Sequence, residues 1–408
     1  MSGRGALAGV ADQVVSSGSN YLTAFLASLV LLPGDFGAFV VAYAVVTVVL
    51  AGVRAVVGEP LLAHLPTITE ARRRGLGSSA LGLALLLGLG GALLCLAAAW
   101  SGVAMLAALA AFVPWVPGAL VADAGRYVLL ARGETGRALV VDSVWAVVQL
   151  AVLAGVALTG SWSVGTLALA WGVGGIAAVV AFLVVAVERV LPPRAWWVES
   201  RYLSGWFTLT SVLGQVQIYL VLLLAGAVLA AVDTAGLRAV QLLVFQPAIT
   251  LMAALLVVVT PVMAKLSAGG DLAALRRARR TALIAMAGVG LVVLVAVPLR
   301  DVLMGLLFPR YTAYAALVLP IALQTAVGGL TVPFQAQIRG YRRGRALFGL
   351  QIVQAVSLLG AAAIGLVLGG VLGLAWGLAA ATVVALVAMI ATAARLTPAP
   401  AAAPAMAP

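Results

Sequence analysis

Residues 37–65 read GAFVVAYAVVTVVLAGVRAVVGEPLLAHL. The run opens with an apolar stretch long enough to cross the core of a bilayer, which takes roughly 20 such residues. It then admits Arg54, Glu59 and Pro60 before polar sequence begins. A charged side chain at the centre of a membrane helix costs roughly 3 kcal/mol on insertion scales, so such residues face a bundle interior or a wet cavity. One stretch thus predicts both a membrane span and a polar interior for it to face.

The stretch has an echo. PLLAHL at 60–65 returns as PVMAKL at 261–266, an offset of 201 residues. GRAL at 136–139 returns at 344–347, offset by 208, and LAWG at 169–172 returns at 374–377, offset by 205. Three matches in one order at nearly constant offset predict two homologous halves, an arrangement common among secondary transporters.

Composition agrees. The apolar fraction is 64% and charged residues make up 9%, against about 25% charged in soluble domains. The fold class expected is therefore an all-α polytopic membrane protein. The net charge of +12 reads as a topological bias rather than a nucleic-acid surface. Cys95 is the only cysteine and His64 the only histidine, which argues against disulfides, thiolate clusters and imidazole metal sites. No metal or cofactor is expected. No cleavable signal peptide is evident, and the first apolar stretch reads as a retained span.

Apolar run lengths and breakers predict about twelve helices. The first six cover about 6–31, 37–63, 77–99, 103–130, 137–159 and 164–187; the second six cover about 205–230, 236–263, 281–299, 312–336, 346–367 and 371–394. This divides the chain into an N-terminal six-helix bundle at 1–187, a linker at 188–204, a C-terminal six-helix bundle at 205–394 and a Pro/Ala-rich, disordered tail at 395–408. The loops test the count. Alternate loops carry three Lys or Arg in 64–76, two in 131–137, three in 188–204, five in 264–280 and four in 337–345. That is seventeen, against Arg300 and Arg310 alone in the loops of opposite parity. Lys and Arg gather on the cytoplasmic side, so both termini are expected inside, in a bacterial cytoplasmic membrane. Six helices per half make the repeats parallel, related by an axis along the membrane normal. The linker, with Pro192-Pro193 and Trp196-Trp197, is expected at the cytoplasmic interface, its indoles at headgroup level. Gly365, Gly369, Gly373 and Gly377 recur every four residues, a spacing that permits close helix packing.

The intramembrane charges gather in the first half. Asp123, Arg126 and Tyr127 stand at i, i+3 and i+4, and Asp142, Trp145 and Gln149 at i, i+3 and i+7, so each trio shares a helix face. Arg126 and Asp142 flank one short loop, each roughly 8–10 Å from it at 1.5 Å per residue, so neighbouring antiparallel helices let them meet at one depth. Arg54 lies at a similar depth. Arg54, Glu59, Asp123, Arg126, Tyr127 and Asp142 are therefore the candidate substrate-binding residues. They would line a cavity for an anionic or polyhydroxylated substrate, or else form a buried ion-pair network or reach to the surface by snorkelling. Asp12, beside Gln13 and Asn20, reads either as a coupling acid or as a residue at the membrane surface near its helix start. The second half offers amides instead, among them Gln215, Gln217, Gln335, Gln337 and Gln351, with Arg238 near the outer end of its helix. Amides suit sugar hydroxyls and interhelical hydrogen bonds alike. No Gly-rich phosphate loop with Lys-Ser/Thr is present, and one histidine in a loop supplies no catalytic triad. An enzyme is not expected.

Residues 11–20 (ADQVVSSGSN), 33–37 (PGDFG) and 58–61 (GEPL), with the block DxxRY at 123–127 and DxxW at 142–145, resemble the MOP exporter superfamily, in particular its polysaccharide-flippase members. The resemblance covers the chain in helix count and about the first 150 residues in detail. It implies the MATE-like architecture of two six-helix bundles around a cavity open to alternating sides. It also implies transport of undecaprenyl-pyrophosphate-linked sugar from the inner to the outer leaflet. Arg54 and Arg126 would then neutralise the pyrophosphate, with a glycan polymerase or glycosyltransferase as partner. Two other readings stay open: a cation-coupled exporter of small amphipathic compounds, using Asp12 or Asp142, and a non-transporting scaffold for glycan synthesis.

Overall fold

The computed structural model describes residues 11–12, 15, 18–19, 22–23, 26–27, 30–31, 33–102, 104–186, 189–229 and 231–396. Gln13, Asn20 and the tail beyond 396 lie outside them, as do the side chains of Gln215 and Arg238. Among the described residues every regular element is helical, and eight helices are long and apolar enough to cross a membrane. With the shorter and interrupted elements, the architecture is an all-α polytopic membrane protein of about twelve helices.

The chain divides into two compact units, Met1–Gly205 and Trp206–Pro408. In the first, described positions between 11 and 30 are helical. Helix Pro33–Val53 follows, then a π turn at Arg54–Gly58 and the short helix Glu59–His64. Pro60 has no N–H with which to bond the Val56 carbonyl one turn back. The hydroxyl of Ser204 donates to that carbonyl instead, at 2.7 Å. Helix Glu70–Ala99 comes next. A span was expected over 103–130, but residues 104–111 form a 3₁₀ helix and the regular helix is Val116–Arg132. Pro114 and Pro117 withhold the donors a continuous helix needs. Helices Thr135–Thr159 and Val164–Ala186 complete the unit.

Residues 189–193 lie against Glu70–Ala99. Leu191 N–H donates to the Ser78 carbonyl at 3.1 Å, and the Ser79 hydroxyl donates to the Pro192 carbonyl at 2.7 Å. Helix Arg194–Val228 starts straight after the proline pair. Trp196 is wholly buried against the protein, while Trp197 is exposed. The buried stripe Trp196, Ser200, Leu203 and Ser204 has the i, i+4, i+7, i+8 spacing of a helix face packed on its neighbours.

The second unit holds Ala231–Val240, a π turn at Gln241–Phe245, Gln246–Ala268, Leu272–Val295, Arg300–Leu307, Val318–Gly340 and Gly344–Arg395. Arg276, Arg277, Arg279 and Arg280, expected in a loop, lie on the first turns of Leu272–Val295. The last element is two helices broken at Gly369 (φ −151°, ψ 24°) and Gly370 (φ 55°, ψ −139°), where the sequence places a turn. After the break, Gly365 and Gly373 face each other so closely that a side chain on either would collide with the other's carbonyl.

Candidate functional site

The site is confined to the first unit and begins with Arg54, the first residue of the π turn. Its guanidinium reaches Asp123 on Val116–Arg132 in a two-pronged bond, Nε to Oδ2 at 2.9 Å and Nη2 to Oδ1 at 2.8 Å. Paired parallel bonds of this kind fix geometry as well as charge. About a third of the Arg54 side chain, 32%, remains exposed.

Arg126 lies one turn further along the same helix. It donates from Nε and Nη2 to Asp12 Oδ2, at 2.8 and 2.6 Å, and its Nε stands 3.0 Å from Asp142 Oδ2. Only 4% of its side chain is exposed, and 1% of that of Asp12. Asp12 is thus buried in the ion-pair network. The Arg126–Asp142 pair follows from local structure. Gly133, at φ 80°, ends Val116–Arg132, and Thr135–Thr159 starts two residues on, which sets the two side chains at one depth.

The expected residues thus form two groups, Arg54–Asp123 and Asp12–Arg126–Asp142. Three carboxylates face two guanidiniums, a formal charge of −1 for the five residues. Tyr127 is buried with its ring against Gly58, where a methyl group would come within 2.9 Å of Cδ1. Glu59 lies half-buried at the start of Glu59–His64.

Between the groups is a small polar cavity of about 30 Å³, lined by Ser19, Leu50, Arg54, Asp123, Asp142, Trp145 and Trp171. That is space for one or two waters. Trp145 and Trp171 meet edge to face at 5.7 Å, and Trp171 continues through Phe112 to Phe39 and Tyr43. Gly174 makes room for Trp145: a methyl group there would meet the indole at 2.8 Å. Sequence reading missed Trp171 and Ser19 as site residues. The available signal was a Trp at mid-span and a Ser-rich first helix. Below the cavity, Gln149 donates to the Thr23 hydroxyl. Among the described residues no group of His, Cys, Asp and Glu could hold a metal ion.

No protein-family model and no curated protein matches the chain in sequence. Solved structures do. A multidrug resistance transporter of the MATE family, MOP superfamily, in an outward-facing conformation superimposes with a TM-score of 0.82 at 13% identity, over 96% of this chain and 95% of that one. The chain has the MATE fold. A mutant MATE transporter from Vibrio cholerae gives a TM-score of 0.80 at 14% identity, over 96% and 95% of the two chains. A MOP superfamily transporter from Pyrococcus furiosus, described as having a binding pocket of reversed polarity, gives 0.76 at 13%, over 95% and 92%. At these identities the MATE likeness is one of architecture.

Proposed function

We propose that this protein is a multi-pass transporter of the bacterial cytoplasmic membrane, with both termini inside. In this reading it flips a lipid-linked oligosaccharide, an undecaprenyl-pyrophosphate sugar, to the outer leaflet for polysaccharide synthesis, alongside a glycan polymerase or glycosyltransferase. The observation that carries the reading is Arg54. It is the partly exposed cation of the cluster, held by Asp123 and set beside Trp145, Trp171 and Ser19. A guanidinium presents a planar fork to phosphate oxygens, and indole faces give sugar rings an apolar surface to stack on. Arg126 is given a different part. With two aspartates on it, it ties Asp12 to the Val116–Arg132 and Thr135–Thr159 helices. The chain performs no bond chemistry here; the work is moving the head group.

The test is a strain lacking the protein, in which the leaflet that holds lipid-linked sugar is determined. Intermediates should be trapped on the cytoplasmic leaflet, released by the intact protein and not by Arg54→Ala at equal membrane abundance. Full release by Arg54→Ala would remove Arg54 from the mechanism, and untrapped intermediates would remove flipping.

One observation favours a second reading, a cation-coupled exporter of small amphipathic molecules. Asp12 Oδ1 is buried with no hydrogen-bond partner among the described residues, and carboxylates outnumber guanidiniums. A proton or small cation would balance that charge. This reading expects drug resistance on expression, lost in Asp12→Asn, with lipid-linked sugars undisturbed.

A further inference from the structure

A groove of about 800 Å³ opens in the first unit where residues 191–199 pack on the start of Glu70–Ala99. Its floor is apolar, with Leu76, Leu191, Pro192 and Val198. Its charged groups are Arg72, Arg194 and Glu199. Glu199 is already engaged, Oε1 lying 3.0 Å from His64 Nε2 and Oε2 accepting from Arg72 Nη2 at 3.2 Å. Arg194 is exposed and forms no ion pair among the described residues. The groove thus joins an apolar trough to an exposed cation that makes no ion pair among the described residues.

Its surroundings place it at a bilayer surface. The helix turns that form one wall bury Trp196 and Ser200 but expose Trp197 (47%) and Tyr202 (62%). Trp and Tyr gather at membrane interfaces, where one end is apolar and the other wet. The groove also lies at the end of Glu70–Ala99 that carries Arg72, Arg73 and Arg74, beside one of the arginine-rich loops.

We propose that this groove binds an anionic phospholipid. The headgroup phosphate sits between Arg72 and Arg194, and the first part of an acyl chain lies along Leu76, Leu191 and Val198. A phosphate here competes with Glu199 for Arg72 and leaves Glu199 to His64. The lipid would therefore act on the contact joining His64, at the end of the Arg54-bearing span, to the helix that begins at Arg194.

The test uses the purified full-length protein in mixed micelles with dioleoyl-phosphatidylglycerol or dioleoyl-phosphatidylcholine, bound lipid being counted by native mass spectrometry. Wild type should retain the anionic lipid and not the zwitterionic one. Arg72→Ala/Arg194→Ala should lose about thirtyfold in retention, at roughly fivefold for each arginine near a surface. Arg276→Ala/Arg277→Ala, which removes two exposed arginines of the other unit, should lose nothing. Arg194→Glu alone covers a double variant that fails to fold. It changes one exposed side chain and should lose retention with an unchanged elution profile. Equal retention of both lipids by wild type, or equal loss in the control pair, overturns the proposal. So does displacement of the lipid by excess inorganic phosphate, which would mark a site for a soluble anion.

Discussion

Arg54 and Arg126 lie close together in the first unit and differ in how they are held, and the difference sets what their removal does. Arg126→Ala leaves Asp12 and Asp142 buried without their cation, a loss on the order of 3–5 kcal/mol. A thermal melt in detergent should show it as a large drop or as failure to accumulate. Arg54→Ala strands one buried carboxylate, Asp123, rather than two, and a third of the arginine side chain is open to solvent; the melt should fall less than for Arg126→Ala, and transport should be lost. The fork to Asp123 gives a sharper check. Arg54→Asp combined with Asp123→Arg should recover stability that either change alone loses, measured as a coupling in a double-mutant cycle. Part of this was legible in the sequence. The Arg126–Asp142 pair follows from helix spacing across one short loop. The Asp12–Arg126 pair did not, because its partners are 114 residues apart and periodicity says nothing about which distant helices become neighbours.

At the scale of the element, prolines mark where reading and structure part. Pro60 was read as lying inside the apolar span 37–63. In the fold it leaves the Val56 carbonyl to Ser204, which stands 148 residues away. Ser204→Ala should cost about 1–2 kcal/mol by stranding that carbonyl, seen as a lower melting temperature, and Ser204→Thr should restore most of it. Pro192-Pro193 suggested a linker at 188–204, whereas the backbone there bonds to Ser78 and Ser79 and the helix begins at Arg194. Composition marks the break in regular structure; it does not say what the broken segment leans on. Trp196 is the decisive residue. Wholly buried, it should cost about 3–5 kcal/mol as Trp196→Ala, where exposed Trp197→Ala should cost little.

Across the whole molecule, the helix count was legible because apolar run length is a global property. The sequence also sets the two units apart in composition, with charge in the first and amides in the second. In the second unit Gln337 accepts from Arg279 at 3.0 Å and donates to Tyr341 at 3.0 Å, so this amide serves to bind helices together. Sidedness is open to direct measurement. With buried Cys95 replaced by Ala, single cysteines at Arg73, Arg276 and Arg343 should react with an impermeant maleimide only after the cytoplasmic face is opened, and one at Asp301 should react in intact cells. Any reversal would break the topology drawn from the loops. The turn at Arg54–Gly58, finally, holds one residue more than an α-helical turn needs, and that surplus decides where the span can be shortened. Deleting Val57 lets the surplus close into ordinary helix while both flanks keep their phase. Deleting Val48 rotates everything before it by about 100° and turns its outward stripe inward. Of two single-codon losses in one span, the first should still give folded protein in the membrane and the second should not.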